Sequence, residues 1–306
     1  MGDAVNTLPM RIILTTIALL LCVCISGNSS AQKRYFGSRG SWRKIEHKTP
    51  LERSAFSITY DYTFALDTLS GTYYRDRYTL EAGVSISRFF SEYSEICDSV
   101  LLRSKKTATG GVAPPDSWLK ADELASYEDV FFNYPEPGML TVSAKISNIE
   151  YYYEEPIEPL QWEIGNDHTT ILGYSCQSAA VHFRGREWTV WFSPEIPLDL
   201  GPWKFRGLPG AILKATDENG LFVYEAIGIS NAKADEQICI HLAPRANRAK
   251  MTRKDYLEIQ KKQWQDPIGL SNAQGITVMG MDQAGQLNER KPGDVVLPYR
   301  PPLELE

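Results

Sequence analysis

The chain has 306 residues, of which 43% are hydrophobic and 11% aromatic, enough to bury a substantial core in one large domain or two small ones. A formal net charge of −6 gives no global attraction to nucleic acid or to an anionic membrane surface, which argues against both as partners.

Residues 1–31 have the form of a secretory signal. Arg11 precedes an apolar run over 12–25, broken only by Thr15 and Thr16 and too short to span a bilayer comfortably. Ser29 and Ala31 are the small residues a signal peptidase reads before Gln32. Neither Cys22 nor Cys24 follows a small residue, which disfavours a lipoprotein signal, and Asn6 stands where myristoylation wants Ser or Thr. The expected location is therefore the periplasm, the outer-membrane surface or the exterior, with no integral membrane segment after signal removal. The mature chain keeps Cys97, Cys176 and Cys239. They allow one internal disulfide in any of three pairings, or three buried thiols acting as small hydrophobes. Their spacing matches no zinc motif.

Residues 32–52 are basic and polar and read as a flexible leader. From residue 53 to 265 the composition is that of one β-rich domain. Stretches 55–65 and 72–82 are rich in Tyr, Thr, Ile and Phe around a Leu-Asp-Thr-Leu-Ser-Gly turn, which predicts a long hairpin. In its second strand Tyr74, Asp76, Tyr78 and Leu80 share one face, and Tyr73, Arg75, Arg77 and Thr79 share a wet one. Residues 84–90 extend the sheet. Residues 98–137 lose the period and read as a long excursion, with a short helix over 116–128 opened by Asp116 and Ser117.

Strand returns over 139–154 with one slip near Asn148. Its Tyr151-Tyr152-Tyr153 run either straddles core and rim or forms a stacking surface for a sugar or another ring. Stretches 161–164 and 169–172 predict two strands about a Gly165-Asn166-Asp167 turn. A clear hairpin follows: Val181 and Phe183 face the same way as Trp188, Val190 and Phe192 across Arg184-Gly185-Arg186, with Thr189 and Trp191 opposite. A second hairpin joins 211–216 to 221–229 through Asp217-Glu218-Asn219-Gly220, and 237–242 adds a last strand. One helix is well signalled over 253–265, capped by Thr252 with Asp255 in the capping-box position. Residues 266–306 read as a weakly ordered tail.

The chain has no His-Glu-x-x-His, Gly-x-Ser-x-Gly or Gly-Lys-Ser signature, so no catalytic, cofactor or metal residue is assigned. A metal site from Asp167, His168 and His182 can be drawn, but four scattered histidines need no such explanation. The candidate binding residues are Arg184, Arg186, Trp191, Trp203 and Arg206, because arginine near tryptophan suits planar, anionic or apolar partners. The competing reading puts the tryptophans in the core and pairs the arginines with acids.

The stretch 201–217 alternates Pro and Gly with Trp203, Phe205, Leu208, Ile212 and Leu213, which specifies a bent but rigid path into a strand. With the hairpin before it, this region resembles the signature of the GLPGLI family of secreted bacterial proteins. Gly207, Leu208, Pro209, Gly210 and Ile212 match the motif, and Ala211 replaces its second Leu. The resemblance implies export and an envelope or extracellular location, and transfers no catalytic residue.

The expected fold is mainly β, an antiparallel curved open sheet or half-barrel with one C-terminal helix. The expected function is non-enzymatic binding of a partner protein or an apolar, lipid-like ligand. A secreted hydrolase with dispersed acids and a structural surface protein without ligand are the alternatives.

Overall fold

A computed structural model describes residues 47–69, 71–96, 128–146, 149–242, 245–281, 286–294 and 301–305. The signal-like segment, Cys97 and residues 97–127 lie outside them. In chain order the strands are β1 (His47–Arg53), β2 (Phe56–Asp67), β3 (Thr72–Ala82), β4 (Ser87–Ser91), β5 (Glu128–Phe132), β6 (Met139–Ile146), β7 (Ile149–Pro156) and β8 (Glu163–Ile171). They continue as β9 (Tyr174–Phe183), β10 (Arg186–Ser193), β11 (Ala211–Asp217), β12 (Phe222–Asn231), β13 (Gln237–Leu242) and β14 (Arg248–Lys250). Helices α1 (Arg253–Gln265) and α2 (Pro267–Ala273) precede a small ribbon of β15 (Met279–Met281) and β16 (Leu287–Glu289).

Twelve of these strands form one mostly antiparallel sheet in the order β14-β7-β6-β5-β4-β3-β2-β12-β11-β10-β9-β8, which does not close into a barrel. Tyr60 stands opposite Ala226, and its buried hydroxyl donates to the Ile212 carbonyl two strands away, at 2.7 Å. The inner face is aromatic: Tyr62 stacks on Phe64 and Tyr224 with ring centroids 5.0 and 4.3 Å apart, and Tyr78 stacks on Phe89 at 4.6 Å. The outer face of β3 carries Tyr73, Arg75 and Arg77 in solvent, as alternation predicts.

Both central hairpins fold as their turns demand. Arg184 and Gly185 have φ of 53° and 74°, the left-handed pair of a two-residue turn that matches strand twist. The stretch from Gly201 then lays Trp203, Phe205 and Leu208 onto the inner face beside Phe183 and Trp188, with Trp188 and Phe205 rings 4.9 Å apart. Gly207 has φ +97°, and a Cβ on Gly210 would sit 2.1 Å from the Ser193 carbonyl oxygen, so each position requires glycine. Ala211, where the motif's leucine is replaced, is fully buried and paired with Ser193.

Helix α1 is capped as expected, Thr252 accepting from the Asp255 amide at 3.2 Å. It packs Tyr256 against Tyr153, ring centroids 5.0 Å apart. Among the described residues no helix is long and apolar enough to cross a membrane.

Several expectations change. Residues 47–52, placed in the basic leader, pair with β13 as a two-stranded layer. The excursion ends earlier than 137: Glu128, expected to close a helix, opens β5, whose buried Val130, Phe131 and Phe132 lie inside the sheet. The stretch expected as one strand with a slip near Asn148 is two, β6 and β7, paired antiparallel from Ile146↔Ile149 outward. The Gly165–Asp167 turn is a register irregularity within the single strand β8. A second helix, α2, follows α1, and the expected tail supplies residues 301–305, which dock on the sheet. Cys176 and Cys239 are both buried free thiols.

Candidate functional site

The sequence places Arg184 and Arg186 on either side of Gly185, and the hairpin carries them to one end of the sheet. Arg186 lies on the buried face with Trp188 and Val190. Its side chain is 4% exposed, and it bonds at 3.0 Å to Asp217, which is fully buried. The guanidinium also stacks 4.7 Å from the Phe222 centroid. Trp203 takes φ 54°, and the next residue, Lys204, points its amine inward at 1% side-chain exposure.

These cations converge on residues 301–305. Lys204 donates to the Glu304 carboxylate at 2.6 Å, to the Tyr153 hydroxyl at 2.6 Å and to Glu155 at 3.2 Å. Arg253 of α1 donates to the other Glu304 oxygen at 2.6 Å, and Arg184 stands 3.9 Å from it while bonding Glu155 at 3.0 Å. The backbone is read as well. Arg186 donates to the carbonyls of Pro302 and Leu303, and the Leu305 amide donates to the Arg184 carbonyl at 3.0 Å. Residues 302–305 are thus held through three backbone groups and one carboxylate, the way a groove holds a peptide.

Burial by itself would raise the Glu304 pKa, but Lys204 and then Arg253 overcome it and hold the carboxyl below its ordinary range. Behind it, Glu128 is pushed the other way by burial and by Glu304, against Lys204 and its bonds from Tyr256 and Gln260. Burial and the neighbouring carboxylates push the Tyr153 phenol well above its ordinary value. Lys204 and Arg253 thus hold the Glu304 carboxylate in its ionised form although its side chain is only 6% exposed.

Of the five candidate binding residues, the structure brings Arg184 and Arg186 together. Trp203 is a core residue, 1% exposed, with ring neighbours Phe183, Trp188 and Phe205. Trp191 is half-buried on the other face, opposite Ser178 and Lys214. Arg206 pairs with Asp199 at 3.3 Å and lies over Phe132, 4.9 Å from its centroid. Of the motif, Leu208, Gly210 and Ile212 are buried, whereas Gly207 and Pro209 are exposed. Arg253 and Glu304 are the residues of this cluster that pattern reading misses. The available signal is the alternation Leu303-Glu304-Leu305 after two prolines, an apolar–acidic–apolar phrase in an otherwise unpatterned stretch. Among the described residues no His, Cys, Asp and Glu group is arranged to hold a metal ion.

No family model matches the chain, and no curated protein matches it. Among solved structures, PNGF-II in its P21 and C2 crystal forms is similar, with TM-scores of 0.44 and 0.43 and 16% identity in each. The match covers 75% of this chain and 35% of each PNGF-II chain. A likeness at that level bears on no residue of the groove.

Proposed function

We propose that this chain is an exported, non-enzymatic binding protein of the GLPGLI type that recognises a segment of a partner protein in the cell envelope. The segment it takes is an apolar–acidic–apolar peptide, bound where residues 301–305 now lie. The observation that carries this reading is the threefold capture of one carboxylate by Lys204, Arg253 and Arg184, combined with backbone recognition on both sides of it. Capture of a lipid-like ligand on the inner face is less well supported, because Trp203, Phe205 and Leu208 fill the face that such a ligand needs.

A tethered occupant competes at an effective concentration on the order of millimolar, so a free peptide is best tested on a chain whose own occupant is weakened. Glu304→Gln is that chain. Labelled Pro-Pro-Leu-Glu-Leu is expected to bind it by fluorescence anisotropy. The Leu-Gln-Leu version should bind at least about tenfold more weakly, since a hydrogen bond to a charged group contributes roughly 1.5–3 kcal/mol. A folded Glu304→Gln chain that binds neither peptide, or both equally, refutes the proposal.

A further inference from the structure

The segment held in the groove is itself patterned. Pro301 and Glu304 are buried, Pro302 and Leu305 are in solvent, and Leu303 is half-buried. Leu305 is 55% exposed although its neighbour Glu304 is 8% exposed. A β-strand would put residues 301, 303 and 305 on one face, because its side chains alternate with a period of two. Burial falls along that series instead, from buried through half-buried to exposed. A period of three fits: 301 and 304 face the protein, and 302 and 305 face solvent. Three residues per turn is the repeat of a polyproline II helix. In keeping with that, residues 301–305 belong to no strand or α-helix of the fold.

The hydrogen bonds follow the same pattern. A polyproline II backbone makes no internal hydrogen bonds, so its carbonyls are open to outside donors. Arg186 is that donor, taking the Pro302 and Leu303 carbonyls with one guanidinium. Pro302 brings no amide to the groove. Its ring holds φ at about −65° and pushes the residue before it into extended backbone, which lowers the ordering cost of binding. At residue 305 an amide is needed, because it donates to the Arg184 carbonyl at 3.0 Å. Two side chains anchor the segment: Pro301, which is buried, and Glu304, whose carboxylate takes Lys204 and Arg253 at 2.6 Å each.

We propose that the groove reads polyproline II peptides at two side-chain positions, a proline and, three residues on, a glutamate, followed by any residue other than proline. This rests on the peptide reading above and sharpens it, because it fixes which side chains of the segment carry the recognition. Leu303 adds partial contact. Leu305 contributes its amide, while its side chain stands in solvent. Negative charge alone does not define the partner: an acidic segment without proline three residues earlier lacks both the second anchor and the preset backbone.

The test uses the full Glu304→Gln chain with labelled Pro-Pro-Leu-Glu-Leu as the reference, read by fluorescence anisotropy. Ala-Pro-Leu-Glu-Leu loses two buried methylenes and should bind about tenfold more weakly, a difference of about 1.4 kcal/mol. Pro-Pro-Leu-Glu-Pro loses the amide that reaches the Arg184 carbonyl and should also bind at least about tenfold more weakly. Pro-Pro-Leu-Glu-Ala, changed only at the exposed side chain, should stay within about threefold of the reference. If Glu304→Gln fails to fold, Leu305→Pro, which disturbs the occupant at its last backbone bond, receives the same four peptides. A reference peptide that does not bind a folded chain refutes the peptide reading, and this inference with it. If the reference binds, two results overturn the polyproline II assignment alone: equal binding of the first-position alanine peptide or the proline-ended one, or a last-position alanine that costs as much as the first.

Discussion

Arg186→Met separates a binding residue from a structural one. Methionine keeps much of the apolar stem that packs near Phe222, but removes the 3.0 Å bond to Asp217 and the bonds to the carbonyls of Pro302 and Leu303. Asp217 is then left fully buried with the Phe222 amide as a donor at 2.9 Å. Removing one member of a buried ion pair costs about 3–5 kcal/mol, a large part of a typical total of roughly 5–15 kcal/mol. At about 2–4 °C per kcal/mol for a domain of this size class, the melting temperature should fall by roughly 6–20 °C. Calorimetry or circular dichroism reads the change. The double variant Arg186→Met with Asp217→Asn, which removes both charges and keeps an acceptor for Phe222, should recover more than half of the loss. A single variant that melts within about 2 °C of the parent, or a double variant no better than the single, refutes the reasoning.

Other outcomes follow from the same structure. Trp203→Ala empties a site among Phe183, Trp188 and Phe205 and should cost about 3–5 kcal/mol in chemical denaturation, whereas a change under 1 kcal/mol would return Trp203 to the list of binding residues. Gly207→Val, at φ +97°, should lower stability by about 1–3 kcal/mol before it changes any binding; unchanged melting with lost binding would overturn the packing role. The pH profile has two limbs. Burial, partly offset by Arg88, raises Glu81 from 4.5 to about 7, so its contribution is complete below about 4.5 and is lost as pH rises through 7; Glu81→Gln should flatten melting temperature between those values. Burial alone would also raise Glu95, but Arg88, His241 and Lys48 hold it at about 2. Its contribution is present above about 4.5 and lost as pH falls toward 2, and Glu95→Gln should remove that acid limb.

Much of the fold is legible in local chemistry. Period-two alternation places Tyr74, Tyr78 and Leu80 inward and Arg75 and Arg77 outward, Arg184-Gly185 and Asp217-Gly220 mark their hairpins, and Thr252 with Asp255 starts α1. Where local signals conflict, the reading fails for identifiable reasons. Only two residues separate the paired strands β6 and β7, too few to interrupt the apolar count, so two strands read as one. Asp266-Pro267 is a cap followed by proline at the first helical position, a start signal for α2 hidden by the glycines and prolines after it. The five residues of β5 are too few to show a period amid a polar stretch.

The sequence by itself determines the β class, the central hairpins and the rigid path around Gly207 and Gly210, because each depends on neighbours along the chain or on a backbone angle only glycine adopts readily. The tertiary structure alone decides the sites. Glu304 lies 100 residues from Lys204 and 51 from Arg253, and no period links them. They meet because the β9–β10 hairpin, the loop before β11 and helix α1 converge at one end of the sheet. Burial there favours matched charge over solvation and turns scattered basic residues into a single groove.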